Sequence, residues 1–316
     1  MWDVLYAVDA SSSMGEKAKG KTGPPFVKID GVKAGIEQLV TGSALPFATR
    51  IGVMAFRAPT KALGMMLDSS KDIIQEVVPL TPVPELRADP GRLKGSLGAM
   101  KVGGATPTGE ALKRGVEVLH SGPDAAHRRI KRLVLVTDEK SNVGPKPEAI
   151  LDPVLVRSAI VDVVAIGSGV DRKTLGALAS RTGGRFVQVS TAPELAVALN
   201  PKIPYSDPPA PVPLIDEANR VFELLKSTDR KAASYQGVAA AARAVTAKLE
   251  QRLQETSSLV GQARGDLDLV ISAAMRDPKW PSMSMKEYAE RVWSRGADLS
   301  KLQEVEDRYR RALQAA

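Results

Sequence analysis

The sequence predicts an α/β protein: a doubly wound, mostly parallel sheet followed by a small all-α region, either a helical bundle or a helical hairpin. Three observations carry that prediction. Short β-rich apolar runs alternate with helix-spaced ones up to about residue 200. A proline-rich stretch then interrupts the chain, with proline at six of the thirteen positions from Pro201 to Pro213, so that it is extended and stiff. Beyond it only helical periodicity remains. The organisation read from this is an α/β domain over 1–200, a linker over 201–213 and a helical domain over 214–316.

The elements follow in order. Val4 to Val8 is an apolar run of strand length, and Ile29, Val32, Ile36, Leu39 and Val40 recur at helical steps. A strand follows over 51–56, a helix over about 107–119, strands over 133–136 and 161–166, a helix over 172–181 and a strand over 186–189. Strand, helix, strand at this spacing implies crossovers, with helices covering both faces of a parallel sheet. Downstream, Leu214, Ala218, Val221, Phe222 and Leu225 mark one helix. Apolar positions from Val238 to Met275 mark a second, about 55 Å long if continuous; a break near Gly261 or Gly265 is the competing reading. Tyr288, Val292, Leu302, Val305 and Tyr309 mark a third. These stripes bury their own seam in a bundle or hairpin, with a free coiled-coil arm as the alternative.

Composition narrows the chemistry. Forty-three per cent hydrophobic and 25% charged residues among 316 are ordinary globular values. With no cysteine, disulfides, thiolate metal sites, iron–sulfur clusters and thiol catalysis are excluded. His120 and His127 are the sole imidazoles, which starves mechanisms built on several histidines; both are expected at the surface. The net charge of +8 arises mostly before position 201, where 26 basic residues face 20 acidic ones. That bias favours acidic partners without being a nucleic-acid signature. The opening Met1-Trp2-Asp3-Val4-Leu5 lacks the pattern of a secretory signal, and the most apolar later run, Ile160 to Ile166, is too short to cross a bilayer. The expectation is a soluble, cytoplasmic protein with no membrane partner.

Three loops carry oxygen donors. The first strand ends in Asp9-Ala10-Ser11-Ser12-Ser13; Gly103-Gly104-Ala105-Thr106-Pro107 leads into a helix; and Thr137-Asp138 ends a later strand. Each has a plain explanation as a turn or helix cap. In a parallel sheet, however, all three lie on the carboxyl rim, where ligands sit in open α/β folds. Together they offer two carboxylates and three hydroxyls, hard donors suited to a magnesium-sized ion, with manganese or calcium also acceptable. These groups cannot fill six positions, so one coordination site is expected to stay open.

On these residues the chain resembles a von Willebrand factor type A domain with a complete metal-ion-dependent adhesion site. Asp9, Ser11 and Ser13 match the family's D-x-S-x-S, Thr106 its second-loop threonine and Asp138 its third-loop aspartate; the likeness covers about residues 1–200. It implies that serines and threonine bind an ion directly, that the aspartates act partly through water, and that a partner's carboxylate completes the shell. Two positions depart from the family's frequent glycines: Ser12 between the serines and Glu139 after the third-loop aspartate. Glu139 either adds negative charge beside the ion or faces solvent. The loop from Gly15 to Phe26 carries Lys17, Lys19 and Lys21, which either draw acidic partners or are simply solvated.

The function expected from this is non-enzymatic: an intracellular adaptor that engages an aspartate or glutamate of a partner protein through the ion. The resemblance implies a partner such as an AAA-family ATPase or a component of a multi-protein stress system, with self-association through the helices as a further option. A magnesium-dependent phosphatase using Asp9 as nucleophile is the enzymatic alternative, weakened because Ser11 stands where such enzymes carry a second aspartate. No G-x-S-x-G elbow occurs. A nucleic-acid role would rest on Arg128, Arg129, Lys131 and Arg132, read here as solvated flanks of a strand without aromatic residues to stack bases.

Overall fold

The first eight-residue strand, β1 (Trp2–Asp9), is buried along its whole length, as befits a central strand covered on both faces. A two-residue ribbon, β2 (Lys17–Ala18) with β3 (Phe26–Val27), precedes helix α1 (Lys28–Thr41). The chain continues through β4 (Thr49–Phe56), β5 (Ile74–Pro82), α2 (Val83–Ala88), α3 (Pro90–Gly98), α4 (Thr108–His120) and β6 (Ile130–Thr137). Next come α5 (Pro153–Ser158), β7 (Ile160–Ile166), α6 (Arg172–Thr182), β8 (Phe186–Val189) and α7 (Ala192–Leu199). In this computed structural model the described residues are 1–18, 24–42, 45–58, 74–121, 129–138, 142–150, 153–201, 203 and 212–315. Two compact units result, Met1–Pro204 with Ala274–Trp293, and Tyr205–Ala273 with Ser294–Ala316.

The sheet of the first unit runs β5-β4-β1-β6-β7-β8. All neighbours are parallel except β5, an antiparallel edge. The predicted doubly wound sheet is therefore present, with the β2–β3 ribbon, β5 and the helices α2, α3, α5 and α7 added to what periodicity had indicated. One face of the sheet packs Leu5, Met54, Leu133 and Leu135 against Leu112 of α4 and Leu175 and Leu178 of α6 in a continuous apolar cluster. On the other side the Tyr6 hydroxyl donates to the Leu199 carbonyl at 2.9 Å, tying β1 to the end of α7. Local signals agree with the elements: the Asp171 side chain caps α6, Gly183 ends it at φ 77°, and Thr191 with Glu194 forms a capping box on α7. Gly184 is obligatory for another reason, since a Cβ there would lie 2.0 Å from the Val161 carbonyl oxygen.

The basic run before β6 corrects one expectation. The strand begins at Ile130, so Lys131 and Arg132 lie inside it and are buried, and Arg129 is buried beside them. They are not solvated flanks, because cross-strand carboxylates neutralise them. Asp3, opposite Lys131 in the parallel register, receives Arg50, Arg129 and Lys131; Asp162 receives Arg132 and Arg185. Burial opposes ionisation of Asp3, yet its three cations hold the carboxyl far below the usual range, while burial pushes Lys131 down. His120 is likewise not a plain surface residue: its Nε2 lies 2.9 Å from the Ser158 carbonyl oxygen. His127 and Arg128 lie outside the described residues.

In the second unit, α8 (Pro213–Ser227) packs Ala218 and Phe222 against Ala242, Val245 and Leu249 of α9 (Tyr235–Met275) and Tyr309 and Ala312 of α10 (Met285–Gln314). The 41-residue α9 is continuous through Gly261 and Gly265, so the proposed break there does not occur. Farther along, the Ser257 hydroxyl donates to Glu306 at 2.7 Å, so α9 and α10 run antiparallel within this unit. Among the described residues no helix is long and apolar enough to cross a membrane.

Candidate functional site

The sheet register alone brings the first and third loops together. In β1, Asp9 pairs with Phe56 of β4, and Val8 pairs with Val136 of β6, so that Asp9 and Thr137 emerge side by side at the carboxyl rim. The Thr137 hydroxyl donates to Asp9 Oδ2 at 2.7 Å, and the Ser11 amide donates to Asp9 Oδ1 at 2.9 Å. The latter is the short-range turn that aspartate favours after a strand. Ser11 and Ser13 face inward and their hydroxyl oxygens stand 3.1 Å apart, whereas the intervening Ser12 is exposed. Ser13 in turn donates to Asp138 Oδ1 at 2.9 Å. A chain of polar contacts thus runs from the first loop to the third.

The second loop is held by its backbone. Gly103 donates its amide to the Ala10 carbonyl at 2.8 Å, the Ser12 amide donates to the Gly104 carbonyl at 3.1 Å, and Ala105 bridges Ala58. Gly104 adopts φ 76°, a conformation that favours glycine. Thr106, fully buried, donates its amide to Asn142 Oδ1 at 2.8 Å and accepts the Asn142 amide at its carbonyl at 3.2 Å. Asn142 therefore latches the third loop onto the second, a role that sequence inspection missed. An asparagine four residues beyond Asp138 carried no periodic or motif signal that could have found it.

Burial sets the electrostatics. Asp9 is fully buried and Asp138 nearly so, at 3% exposure. Burial pushes the Asp9 carboxyl up to about 7, against the hydrogen bonds from Thr137 and Ser11, and the Asp138 charge pushes the same way as burial. Among the described residues no lysine or arginine pairs with Asp9. Asp138 differs: the Lys28 ammonium, at the start of α1, lies 2.6 Å from its Oδ2 and 3.2 Å from the Ser13 carbonyl. Lys28 was not among the residues singled out from the sequence. Gly169 supports the same loop, because a Cβ there would lie 2.8 Å from the Asp138 carbonyl oxygen.

The structure thus brings Asp9, Ser11, Ser13 and Asp138 into one hydrogen-bonded group and sets the Thr106 loop against it. The donors are all oxygens, and a buried carboxylate without a cationic partner is a group that a metal ion would relieve, so the residues fit a hard divalent ion. Among the described residues no cluster of three His, Cys, Asp or Glu side chains could hold a metal; any ion at this rim would depend on the hydroxyls. Glu139, Lys19 and Lys21 lie outside the described residues, and Lys17 is exposed.

The model of the von Willebrand factor type A domain matches residues 3–200. The chain belongs to that family. A VWA unit of this kind is a protein-binding module in its family. Among solved structures, the chain is similar to a von Willebrand factor type A protein from Catenulispora acidiphila, at 18% identity and a TM-score of 0.48 over 63% of this chain and 41% of that one. It is also similar to proximal thread matrix protein 1 from the mussel byssus with a zinc-occupied MIDAS motif, at 20% identity and a TM-score of 0.45 over 63% and 46%. A third is the SpRpn10 VWA domain, at 13% identity and a TM-score of 0.41 over 63% and 93%. The chain spans less than half the length of the first two. No curated protein matches it.

Proposed function

We propose that the VWA unit is a metal-dependent protein-binding module. Asp9, Ser11, Ser13, Thr106 and Asp138 would hold a divalent cation, magnesium by ligand type, with manganese or calcium also accommodated by oxygen donors. When bound, the ion supplies a positive centre for an aspartate or glutamate of a partner protein. The single observation that carries this reading is Asp9: a fully buried carboxylate at the carboxyl rim, among inward-facing hydroxyls, with no lysine or arginine beside it among the described residues.

The chain's own residues prepare the rim. Thr137 and the Ser11 amide fix both Asp9 oxygens, Ser13 and Lys28 fix those of Asp138, and Asn142 fixes the Thr106 loop. An aspartate whose two oxygens are both engaged and whose side chain is shielded from solvent is a poor nucleophile, which favours binding over phosphoryl transfer. The burial and pairing of Arg129, Lys131 and Arg132 likewise leave little free charge there for a nucleic-acid backbone. The proposed setting is the cytoplasm. The proposed role is an adaptor whose helical unit engages a second partner, such as an AAA-family ATPase or a stress-system component, or another copy of this chain. Calorimetric titration of the full chain with magnesium chloride tests the reading. Saturable binding abolished by Asp9→Ala and by Thr106→Ala is the expected result, and no heat from the wild type would overturn it.

A further inference from the structure

The metal-binding reading gives Lys28 a hydrogen bond to make but leaves its positive charge unexplained. It is the first residue of α1, its amide donates to the Glu16 carbonyl at 3.1 Å, and its side chain is 13% exposed. An ammonium at that position normally reaches for water. Here it turns inward, to Asp138 Oδ2 at 2.6 Å and the Ser13 carbonyl at 3.2 Å, both at the candidate ion site. Asp138 therefore has one oxygen on the Ser13 hydroxyl and the other on a fixed cation, while Asp9 has hydrogen bonds alone. The two carboxylates are thus unequal: one is already supplied with a counter-charge by the chain, and one is not.

Formal charges give that asymmetry a consequence. Asp9, Asp138 and Lys28 together carry one negative charge, so a divalent ion brings the three to one positive charge. A single carboxylate from outside then restores neutrality. Without the ammonium, the ion alone would neutralise the two aspartates, and an incoming carboxylate would leave excess negative charge in a buried place.

We infer that Lys28 is a built-in second cation of the site, which weakens ion binding and in exchange makes the loaded rim a receptor for one carboxylate. This rests on the proposed metal-dependent function and assigns a residue to the selectivity of that same site. The two effects have opposite signs. Removing the ammonium takes away repulsion toward the ion and frees Asp138 Oδ2, so ion binding tightens; the same change removes attraction for the visitor, so carboxylate binding weakens. A lysine that merely pinned α1 to the third loop would, on removal, loosen the rim and weaken both.

The test uses the full chain as wild type, Lys28→Met, Lys28→Gln and Lys28→Arg. Magnesium chloride is titrated by calorimetry, and acetate is then titrated into the magnesium-saturated proteins with the Ser12 and Gly104 amide resonances as readout. A unit charge about 5 Å from a divalent ion changes its binding constant by at least about tenfold even at the dielectric constant of water. Lys28→Met and Lys28→Gln are therefore expected to bind magnesium at least about tenfold tighter than wild type and, since acetate carries a single charge, acetate at least about fourfold weaker. Lys28→Arg should stay within about threefold on both counts. The glutamine keeps a hydrogen-bond donor for Asp138 without charge, so it reports on the ammonium should the methionine variant fail to fold. Magnesium binding by wild type that is unchanged or weaker in the neutral variants, or acetate binding equal to wild type, overturns the assignment to Lys28 alone. Absence of magnesium binding by the wild type overturns it together with the metal reading.

Discussion

Replacing Asp9 with asparagine should stabilise the ion-free protein at alkaline pH, although the change removes a residue of the proposed metal site. The carboxyl is raised from 3.8 to about 7, chiefly by burial. Between those values the folded chain binds a proton at Asp9 that the unfolded chain has released, so the contribution of this group to stability falls as pH rises from about 4 through 7. Above pH 8 the cost is complete, and at 1.36 kcal/mol for each pKa unit the shift corresponds to about 4 kcal/mol. Asparagine keeps an oxygen for the Ser11 amide and, by turning the Thr137 hydroxyl, a partner for its amide nitrogen, at a cost of about 1 kcal/mol. The expected net gain for Asp9→Asn is about 2–3 kcal/mol at pH 8.5, vanishing or reversing near pH 5. Urea unfolding in EDTA across that range measures it. Magnesium should invert the order at pH 8.5, since only the wild type gains binding energy. A stability difference between the two proteins that stays flat from pH 5 to 8.5 would refute the argument that a buried charge sits at Asp9.

Three further outcomes follow from the same contacts. Asp9→Ala and Thr106→Ala should abolish magnesium-dependent capture of partner proteins while far-ultraviolet circular dichroism stays nearly unchanged; capture that survives both changes and excess EDTA would contradict the metal bridge. Asn142→Ala removes the side-chain acceptor for the Thr106 amide and should weaken magnesium binding by about tenfold or more, as the loss of an outer-shell positioning group typically does; calorimetry gives the number. Asp162→Ala takes the carboxylate from the buried Arg132 of β6, as well as from the half-buried Arg185, and should cost about 3 kcal/mol, read from the midpoint of urea unfolding.

Features that depend on neighbours along the chain were legible before any coordinates. The D-x-S-x-S turn, the Thr106-Pro107 helix entry and the apolar strands each announce themselves within a few residues, and the rule that parallel strands share a carboxyl rim places Asp9 and Asp138 on one edge. Features that depend on pairing across the fold were not. Lys131 and Arg132 look like exposed flanks until the register sets Asp3 beside Lys131 and brings Asp162 within reach of Arg132. Strand β5 was missed because Pro79, Pro82, Gln75 and Glu76 read as loop, whereas an edge strand tolerates proline and charge on its open side. Lys28 and Asn142 escaped notice for the same reason: each acquires its role through a residue 110 or 36 positions away.

The division of the polypeptide bears on synthesis. The sheet-bearing unit draws on Met1–Pro204 and again on Ala274–Trp293, so the other unit begins between these two stretches. Among the late residues, Met283, Tyr288 and Val292 are buried, and the Pro281 carbonyl accepts a hydrogen bond from Arg157. A ribosome that has released all six strands has therefore not yet supplied everything this unit packs. At about 5–20 residues per second, several seconds of translation separate β8 from Trp293, an interval in which the nascent unit lacks the last segment it packs.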